Sequence, residues 1–208
     1  MFKISDVSLS VLKESKYIKP YQMHYKENGV KKAWDMIKVH QSVYIIIFNV
    51  TRKVLVCVRQ FRPAVYYNSI PEEERDVIDT EKYPAELGLT LEICAGIVDK
   101  NLPLIEIARE EVHEECGYDV PVDKLEKILT CRQGALNGNF QTMYYTEVTD
   151  SMKTGKGGGL ESEGECIEVV ELTLEEAKKC LETDNLRSGP SFLFGLTWFF
   201  LNKASKFT

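Results

Sequence analysis

The most apolar run in the chain lies at residues 43–50 and has the sequence VYIIIFNV. A strand with one face in water alternates apolar and polar residues, and this run is too apolar for that pattern. It therefore predicts a buried central strand, with residues 54–62 as its partner after a short turn at residues 51–53. We expect a sheet built around this strand to lie at the centre of the fold.

The rest of the chain adds more strands than helices to that sheet. The Asn28-Gly29 pair between two alternating runs is a strong hairpin signal near the start. Further strands are predicted at residues 87–95, 124–130, 139–148 and 167–172, and helices at residues 103–117, 173–183 and 191–203. Because few helices separate consecutive strands, parallel crossovers are scarce and the predicted fold class is α+β.

The length of 208 residues suits one domain with an appendage. We assign residues 1–40 to an N-terminal β arm and residues 41–208 to the main domain. Within that domain, residues 66–86 are polar and acidic and are predicted to form a surface insertion loop. Such a segment offers too little apolar surface to offset the entropy of ordering it.

Charge and composition argue against several classes of protein. The formal net charge is −6, from 26 basic and 32 acidic residues, which argues against a general nucleic-acid binder. No apolar run approaches the ~18 residues of a membrane helix, and residues 1–15 lack the pattern of a secretory signal. The six cysteines are widely spaced without a CxxC pair, so we expect reduced thiols in a cytoplasmic protein.

The helix predicted at residues 103–117 carries the most chemical information. Helical spacing places Glu111 beside both Glu114 and Glu115, on a side away from the apolar stripe. Three neighbouring carboxylates repel one another unless a cation lies among them, and Mg²⁺ prefers oxygen ligands. A solvated acidic face is the commoner meaning of a glutamate-rich helix, so the helix alone leaves both interpretations open.

The segment from Gly96 to Tyr118 resembles the signature box of the Nudix hydrolases, G-x5-E-x7-R-E-U-x-E-E-x-G-U, in which U is a bulky apolar residue. Gly96 matches the leading glycine, and residues 111–118 match the end of the box. Two positions depart from it, because Leu102 stands where the box has glutamate and Glu110 where it has arginine. In the family, these two side chains mainly support and orient the helix.

The resemblance extends over nearly the whole chain. Motifs similar to those of the ADP-ribose and sugar-nucleotide pyrophosphatase branch are VRQFRPA at residues 58–64, EICAG at 92–96, AWD at 33–35, GGGLESEGE at 157–165 and IEVV at 167–170. Within this branch the chain looks most like the UDP-sugar pyrophosphatases. The resemblance implies a Nudix fold, with a mixed sheet sandwiched between helices and an N-terminal arm that supports a homodimer.

The activity that the resemblance implies is Mg²⁺-dependent hydrolysis of the diphosphate in a nucleoside diphosphate sugar. UDP-glucose would give UMP and glucose 1-phosphate, and Mn²⁺ is an alternative cofactor. A first alternative is the same reaction on ADP-ribose, which gives AMP and ribose 5-phosphate. A second is a catalytically silent nucleotide-binding module, suggested by the departures at Leu102 and Glu110. We expect no nucleic-acid or membrane partner.

The resemblance also implies roles for single residues. The metal ligands would be the side chains of Glu111, Glu114, Glu115 and Glu165 and the carbonyl of Ala95. Glu163 would take the proton of the attacking water, with Glu114 as the alternative base. Without the resemblance, the glutamates at residues 161–165 are equally compatible with a solubilising loop.

Three residues outside the helix are expected to contact the substrate. Arg62 would clamp the diphosphate, since a guanidinium offers a fork of donors, and the alternative is a surface arginine at a strand end. Trp34 would stack on the nucleobase, although a core tryptophan is equally compatible. Glu92 would lie at the metal and the substrate, or simply pack under its strand.

Overall fold

The computed structural model describes residues 2–207 and contains two sheets. The smaller sheet is a hairpin of β1 (Lys19–Glu27) and β2 (Val30–Lys38). The larger sheet is mixed and consists of β3 (Ser42–Asn49), β4 (Val54–Phe61), β5 (Leu89–Glu92), β6 (Cys94–Ile97), β7 (Glu126–Arg132), β8 (Phe140–Val148) and β9 (Ile167–Thr173). The α-helices are α1 (Pro63–Asn68), α2 (Leu104–Cys116), α3 (Leu174–Glu182) and α4 (Pro190–Asn202).

Strand β3 is the centre of the large sheet, as its apolar run predicts. It pairs in parallel with β8 along its full length, and its other edge is divided between β6 and β4, which are both antiparallel to it. Strand β4 in turn pairs with β5 and β9, and β7 pairs with β8. Only one of the pairings among these seven strands is parallel, which agrees with the predicted scarcity of parallel crossovers.

Successive side chains of β3 point to opposite faces of the sheet, and both faces are covered. Val43, Ile45 and Ile47 pack in one core with the apolar side of α2, whereas Ile46 and Phe48 pack in the other core with α4. Each of these five side chains is at most 1% exposed. The sheet therefore lies between helices, which confirms the predicted α+β architecture and places α2 against β3 and β6.

The segment predicted as one strand at residues 87–95 is divided in the structure. A 3₁₀ turn covers Ala85–Gly88, β5 follows and pairs with β4, and β6 pairs with β3. Ile93 separates the two strands, and its side chain is buried in the core beside α4. The division arises because the two halves pair with different strands, and an apolar pattern does not encode the choice of partner.

The acidic segment at residues 66–86, predicted as a surface insertion loop, begins inside α1 and is attached to the domain by buried side chains. Tyr66, Ile70 and Ala85 are buried, whereas most of the acidic residues are exposed. The Tyr66 hydroxyl donates to the Tyr83 carbonyl at 2.6 Å, and Arg75 Nε donates to the Ile70 carbonyl at 2.9 Å. A few apolar anchors therefore order a segment whose composition is mainly polar.

The hairpin predicted at Asn28-Gly29 is present, and these residues have positive φ angles of 52° and 83°. A two-residue turn of this sequence requires that conformation. Most side chains of the hairpin are exposed, and the Ile37 N–H donates to the Leu136 carbonyl at 3.0 Å. In the predicted arm at residues 1–40, the β structure covers Lys19–Lys38, and residues 2–16 contain no strand.

Helices α2 and α4 are the longest in the described chain, with 13 residues each. Within residues 2–207, no helix is both long and apolar enough to cross a membrane. All six cysteines are free thiols, and Cys57, Cys94 and Cys116 are buried in the domain.

Candidate active site

A cavity of about 360 Å³ lies between α2, the connection from β6 to α2, and the loop before β9. All but two of the predicted site residues line it, namely Arg62, Ala95, Glu111, Glu114, Glu115, Glu163 and Glu165. The two exceptions are Trp34 and Glu92. Tyr17, Tyr44 and Lys100 also line the cavity, although they are not among the site residues predicted from the sequence.

Helix α2 presents three carboxylates to the cavity because its other side is held in the core. Ala108 and Val112 are fully buried against the sheet. Glu111, Glu114 and Glu115 lie on the side that faces the cavity. The helix ends at Cys116, close to the predicted end at residue 117, and Gly117 follows it with a left-handed φ of 76°, a conformation that glycine favours at the end of a helix.

Two of these carboxylates join the helix to strand β6. Glu115 is 3% exposed, and its Oε2 accepts a hydrogen bond from the Ala95 N–H at 3.0 Å. The Glu111 carboxylate lies against Gly96, where an added Cβ atom would be 1.8 Å from Glu111 Oε1. A side chain at residue 96 would displace the Glu111 carboxylate, so the glycine lets this carboxylate lie directly against the strand.

Burial and mutual repulsion make these carboxylates hard to ionise. Burial first, and then the charge of Glu114, raises the pKa of Glu111 to about 7. Burial raises the pKa of Glu115 to about 8, with a contribution from Glu111, although the hydrogen bond from Ala95 opposes the shift. Burial also raises the pKa of Glu114, and the charge of Lys100 opposes it. Ionising these groups without a partner is therefore costly, and a bound cation would offset that cost.

These pKa values predict that the protein, in a buffer with a metal chelator, becomes less stable as the pH rises from about 5 to 8. The folded state loses the protons of Glu111 and Glu115 only near the pKa values of about 7 and about 8, whereas the unfolded chain loses them near the ordinary glutamate pKa of about 4.3. Because the folded state then binds more protons, the free energy of unfolding decreases with rising pH. Urea unfolding at several pH values measures it, and the decrease should be smaller in Glu115→Gln. Equal slopes in the two proteins would contradict this assignment.

The loop before β9 packs its backbone directly on the C-terminal end of α2. The N–H of Gly158 donates to the Glu115 carbonyl at 2.9 Å, and the N–H of Gly159 donates to the Glu114 carbonyl at 3.1 Å. A Cβ atom added at Gly157 would lie 2.3 Å from the Glu115 carbonyl oxygen. The glycines therefore permit a close contact that satisfies carbonyls at the end of the helix and holds the loop in place.

We expect Gly157→Ala to destabilise the protein by about 3 kcal/mol or more, since it adds a backbone clash to the cost of a left-handed residue. Gly164→Ala is the matched control, because Gly164 has a φ of 73° but no atom near an added Cβ. The control should lose only about 1–2 kcal/mol of unfolding free energy, which is the cost of placing alanine in the left-handed conformation. Urea unfolding measures both, and equal losses would show that the contact with α2 contributes nothing.

Two more carboxylates reach the cavity from this loop. Glu163 ends a short 3₁₀ turn that covers Glu161–Glu163, and its side chain is exposed at the cavity. The Oε2 atom of Glu165 accepts a hydrogen bond from the Leu160 N–H at 2.9 Å, which closes the turn. The loop therefore brings Glu163 and Glu165 to the same space as the glutamates of α2.

Arg62 enters the cavity while its guanidinium is held by Glu92. Arg62 Nε donates to Glu92 Oε1 at 2.8 Å, and Arg62 Nη2 donates to Glu92 Oε2 at 2.7 Å. Thr90 and Gln60 also donate to the Glu92 carboxylate, at 2.5 and 3.4 Å. Although burial opposes the shift, these hydrogen bonds lower the pKa of Glu92. Glu92 is therefore a charged support for Arg62, and it does not line the cavity itself.

The structure places different aromatic residues near the cavity from the one selected in the sequence. Trp34 lies on β2, is 49% exposed, and donates from Nε1 to the Ala135 carbonyl at 3.4 Å. Tyr17 and Tyr44 line the cavity instead. Tyr44 belongs to the central strand, and Tyr17 precedes β1, so neither stood in a motif that could have singled it out.

The two residues that depart from the box, Leu102 and Glu110, do not line the cavity. Leu102 is 42% exposed in the connection between β6 and α2. Glu110 forms an ion pair with Lys100, with 2.8 Å between Lys100 Nζ and Glu110 Oε2. The nearby Arg109 pairs with Glu106 at 3.0 Å instead.

Within residues 2–207, no three His, Cys, Asp or Glu side chains lie close enough together to hold a metal ion as they stand. Glu115 and Glu165 each use one carboxylate oxygen to accept a hydrogen bond from a backbone N–H. The acidic groups that line the cavity nevertheless offer oxygen atoms, which are the donors that hard divalent cations prefer.

Comparison with known proteins identifies relatives that extend over nearly the whole chain, although no family model matches it. The chain is 39% identical to the uridine diphosphate glucose pyrophosphatase NUDT14 of Bos taurus over 212 aligned positions, which cover 96% of each protein. It is 37% identical to the protein of the same name from Mus musculus, again over 96% of each. A GDP-mannose pyrophosphatase of Escherichia coli is 30% identical over 171 positions, which cover 78% of this chain and 79% of the relative.

The fold is similar to that of a solved structure described as an ADP compounds hydrolase. The TM-score is 0.66, and the match covers 96% of this chain and 92% of the other. The sequences of the two are only 13% identical, so this likeness concerns the fold alone.

Proposed function

The chain belongs to the Nudix hydrolase family, and on that basis we propose that it hydrolyses the diphosphate bond of a nucleoside diphosphate sugar, converting UDP-glucose to UMP and glucose 1-phosphate. The observation that carries this proposal is that Glu111, Glu114, Glu115, Glu163 and Arg62 all line the same cavity. The names of the relatives at 39% and 37% identity support UDP-glucose over the GDP-mannose of the relative at 30%.

The reaction needs a divalent cation, and we assign Mg²⁺, with Mn²⁺ as a substitute, to the carboxylates of the cavity. The ligands would be Glu111, Glu114, Glu115, Glu165 and the carbonyl of Ala95. The raised pKa values of Glu111 and Glu115 support this assignment, because they reflect buried negative charge that lacks a counter-ion. When bound, the cation would neutralise the oxygens of the diphosphate and so make its phosphorus open to attack by water.

The remaining roles concern the attacking water, the diphosphate and the nucleobase. Glu163 is exposed at the cavity, so its carboxylate would accept the proton of the attacking water, with Glu114 as the alternative base. Arg62 would donate to the diphosphate oxygens, and its bidentate contact with Glu92 holds the guanidinium at a set angle. Trp34 would reach a nucleotide only in an assembly, since it does not line the cavity of its own chain.

A substrate screen tests the proposal directly. The purified protein is incubated with UDP-glucose, GDP-mannose, ADP-glucose or ADP-ribose in Mg²⁺ or Mn²⁺, and the products are separated by anion-exchange chromatography. We expect the highest kcat/KM for UDP-glucose, with UMP and glucose 1-phosphate in equal amounts. A higher value for ADP-ribose would assign the alternative substrate. Nucleotide binding without any product would instead indicate a silent binding module.

We also propose that the protein is a homodimer formed through the hairpin of β1 and β2. An isolated two-stranded sheet is marginally stable in water, and this one exposes Tyr21, Met23, Val30 and Trp34. A second copy packed on the hairpin would bury these side chains. Sedimentation equilibrium should give twice the monomer mass, and Met23→Lys with Trp34→Glu should reduce it to the monomer. The six free thiols suit a reducing compartment, which supports a cytoplasmic location.

A further inference from the structure

Lys100 is a cation placed among the acidic residues of the cavity. It lies in the connection between β6 and α2, where residues 98–103 form no regular structure. Its Nζ is 2.8 Å from Glu110 Oε2 and 3.7 Å from Glu114 Oε1, so one ammonium group contacts two carboxylates of α2. Arg62, the other cation that lines the cavity, is engaged by Glu92.

The two contacts of Lys100 differ in length and in position on the helix. Glu110 and Glu114 are one helical turn apart, and Glu114 lines the central cavity whereas Glu110 lies beyond its edge. The shorter contact, with Glu110, therefore holds the ammonium group at the edge of the cavity. The longer contact places the same ammonium group beside Glu114, which belongs to the proposed site. Side chains of this length and exposure are mobile unless a partner restrains them.

We infer that Lys100, anchored by Glu110, is a positioning residue that holds the Glu114 carboxylate in its orientation at the cavity. The inference rests on the proposed function, because it assigns a support to a carboxylate of that site. It also gives a role to Glu110, which stands where the box has arginine. A glutamate at this position can form an ion pair with Lys100, whereas an arginine could not. The helix is thus supported by an ion pair in which the helix supplies the negative partner.

A second ion pair on α2 provides a comparison. Arg109 Nε and Glu106 Oε2 are 3.0 Å apart, and both residues belong to the helix. This pair contacts none of the three carboxylates that face the cavity, so its loss should leave the site unchanged. Comparing variants of the two ion pairs therefore distinguishes the general effect of losing a surface ion pair from the specific loss of support for Glu114.

The test combines Lys100→Met, Lys100→Arg, Glu110→Gln and the double variant Lys100→Met with Glu110→Gln. We expect Lys100→Met and Glu110→Gln to lower kcat for UDP-glucose at saturating Mg²⁺ by about 10- to 100-fold, with little change in KM. Lys100→Arg should stay within about threefold of the wild type because it keeps the charge. The double variant should be no slower than Lys100→Met, since both changes remove the same support.

Manganese binding, followed by EPR of free Mn²⁺, provides a readout that is independent of turnover. Lys100 is a positive charge close to the proposed cation site, so Lys100→Met should bind Mn²⁺ at least as tightly as the wild type. Slower turnover together with undiminished Mn²⁺ binding is the signature of lost orientation. Glu106→Gln and Arg109→Met are the controls, and neither should change kcat or Mn²⁺ binding.

Several results would overturn the inference. A kcat within twofold of the wild type in Lys100→Met would show that Lys100 supports the fold alone. A normal kcat in Glu110→Gln with a raised KM in Lys100→Met would show that Lys100 contacts the substrate directly and needs no anchor. Weakened Mn²⁺ binding in Lys100→Met would show that it builds the cation site. If the wild type itself has no turnover, the proposed function fails first, and this inference fails with it.

Discussion

Replacing Glu163 by glutamine should reduce the turnover of UDP-glucose by about 10²- to 10⁴-fold, the usual contribution of a general base. Glutamine has nearly the same shape as glutamate but cannot accept a proton from water. Because Glu163 is exposed, the change should leave the thermal midpoint within about 1 °C of the wild type. Steady-state kinetics at saturating Mg²⁺, together with thermal unfolding of the same samples, measure both effects.

The matched control for this variant is Glu161→Gln. Glu161 lies on the same 3₁₀ turn and is exposed, but it does not line the cavity. Its substitution removes the same charge from the same loop and should change kcat by less than about twofold. If Glu163→Gln is nearly as active as the wild type while Glu114→Gln is inactive and still binds Mn²⁺, the base is Glu114 on the helix.

The second large effect is expected for Glu115→Gln, which should lower kcat/KM by more than about 100-fold, beyond the range seen when an outer-shell partner of a metal ligand is lost. Glu115 is 3% exposed, and its Oε2 accepts the Ala95 N–H, a hydrogen bond that a glutamine oxygen can also accept. The fold should therefore survive. The amide has no negative charge to hold a divalent cation.

A stability measurement separates this effect from unfolding. Mg²⁺ should raise the thermal midpoint of the wild type, because a ligand that binds only the folded state stabilises it. The rise should be much smaller in Glu115→Gln. Without Mg²⁺ at pH 8, the variant should be at least as stable as the wild type, since burial raises the pKa of Glu115 to about 8 and the variant has no charge to bury. Glu106→Gln, on the first turns of α2, is the control, and an equal response to Mg²⁺ in all three proteins would reject Glu115 as a ligand.

Local sequence patterns predicted the elements that depend on neighbouring residues. The non-alternating run at residues 43–50 became β3 because a strand in the middle of a covered sheet has to be apolar on both faces. The predicted end of one helix at residue 117 and start of another at residue 173 also agree with the structure, because the hydrogen bonds at Gly117 and in the capping box of Thr173 join residues only a few positions apart.

Patterns were less informative where a residue's partner is distant in the sequence. The segment at residues 87–95 has one apolar character, yet β5 pairs with β4 and β6 pairs with β3. Trp34 stands in a motif but does not line the cavity of its own chain, where Tyr17 and Tyr44 are the aromatic residues, so its place at a partner's cavity stays a prediction. A motif specifies the type of a residue, but it does not specify which cavity the hairpin brings that residue to.

The sequence alone was enough to predict the family, the α+β class and the glutamates that line the cavity, because motifs and periodicity are properties of the order of residues in the chain. Only the tertiary structure showed that Glu92 holds Arg62 instead of lining the cavity, that Lys100 pairs with Glu110, and that Gly157 lets the loop pack on α2. Each of these contacts depends on where two separate segments meet in space. Burial, which determines the charge that a carboxylate can carry, likewise exists only once the chain has folded.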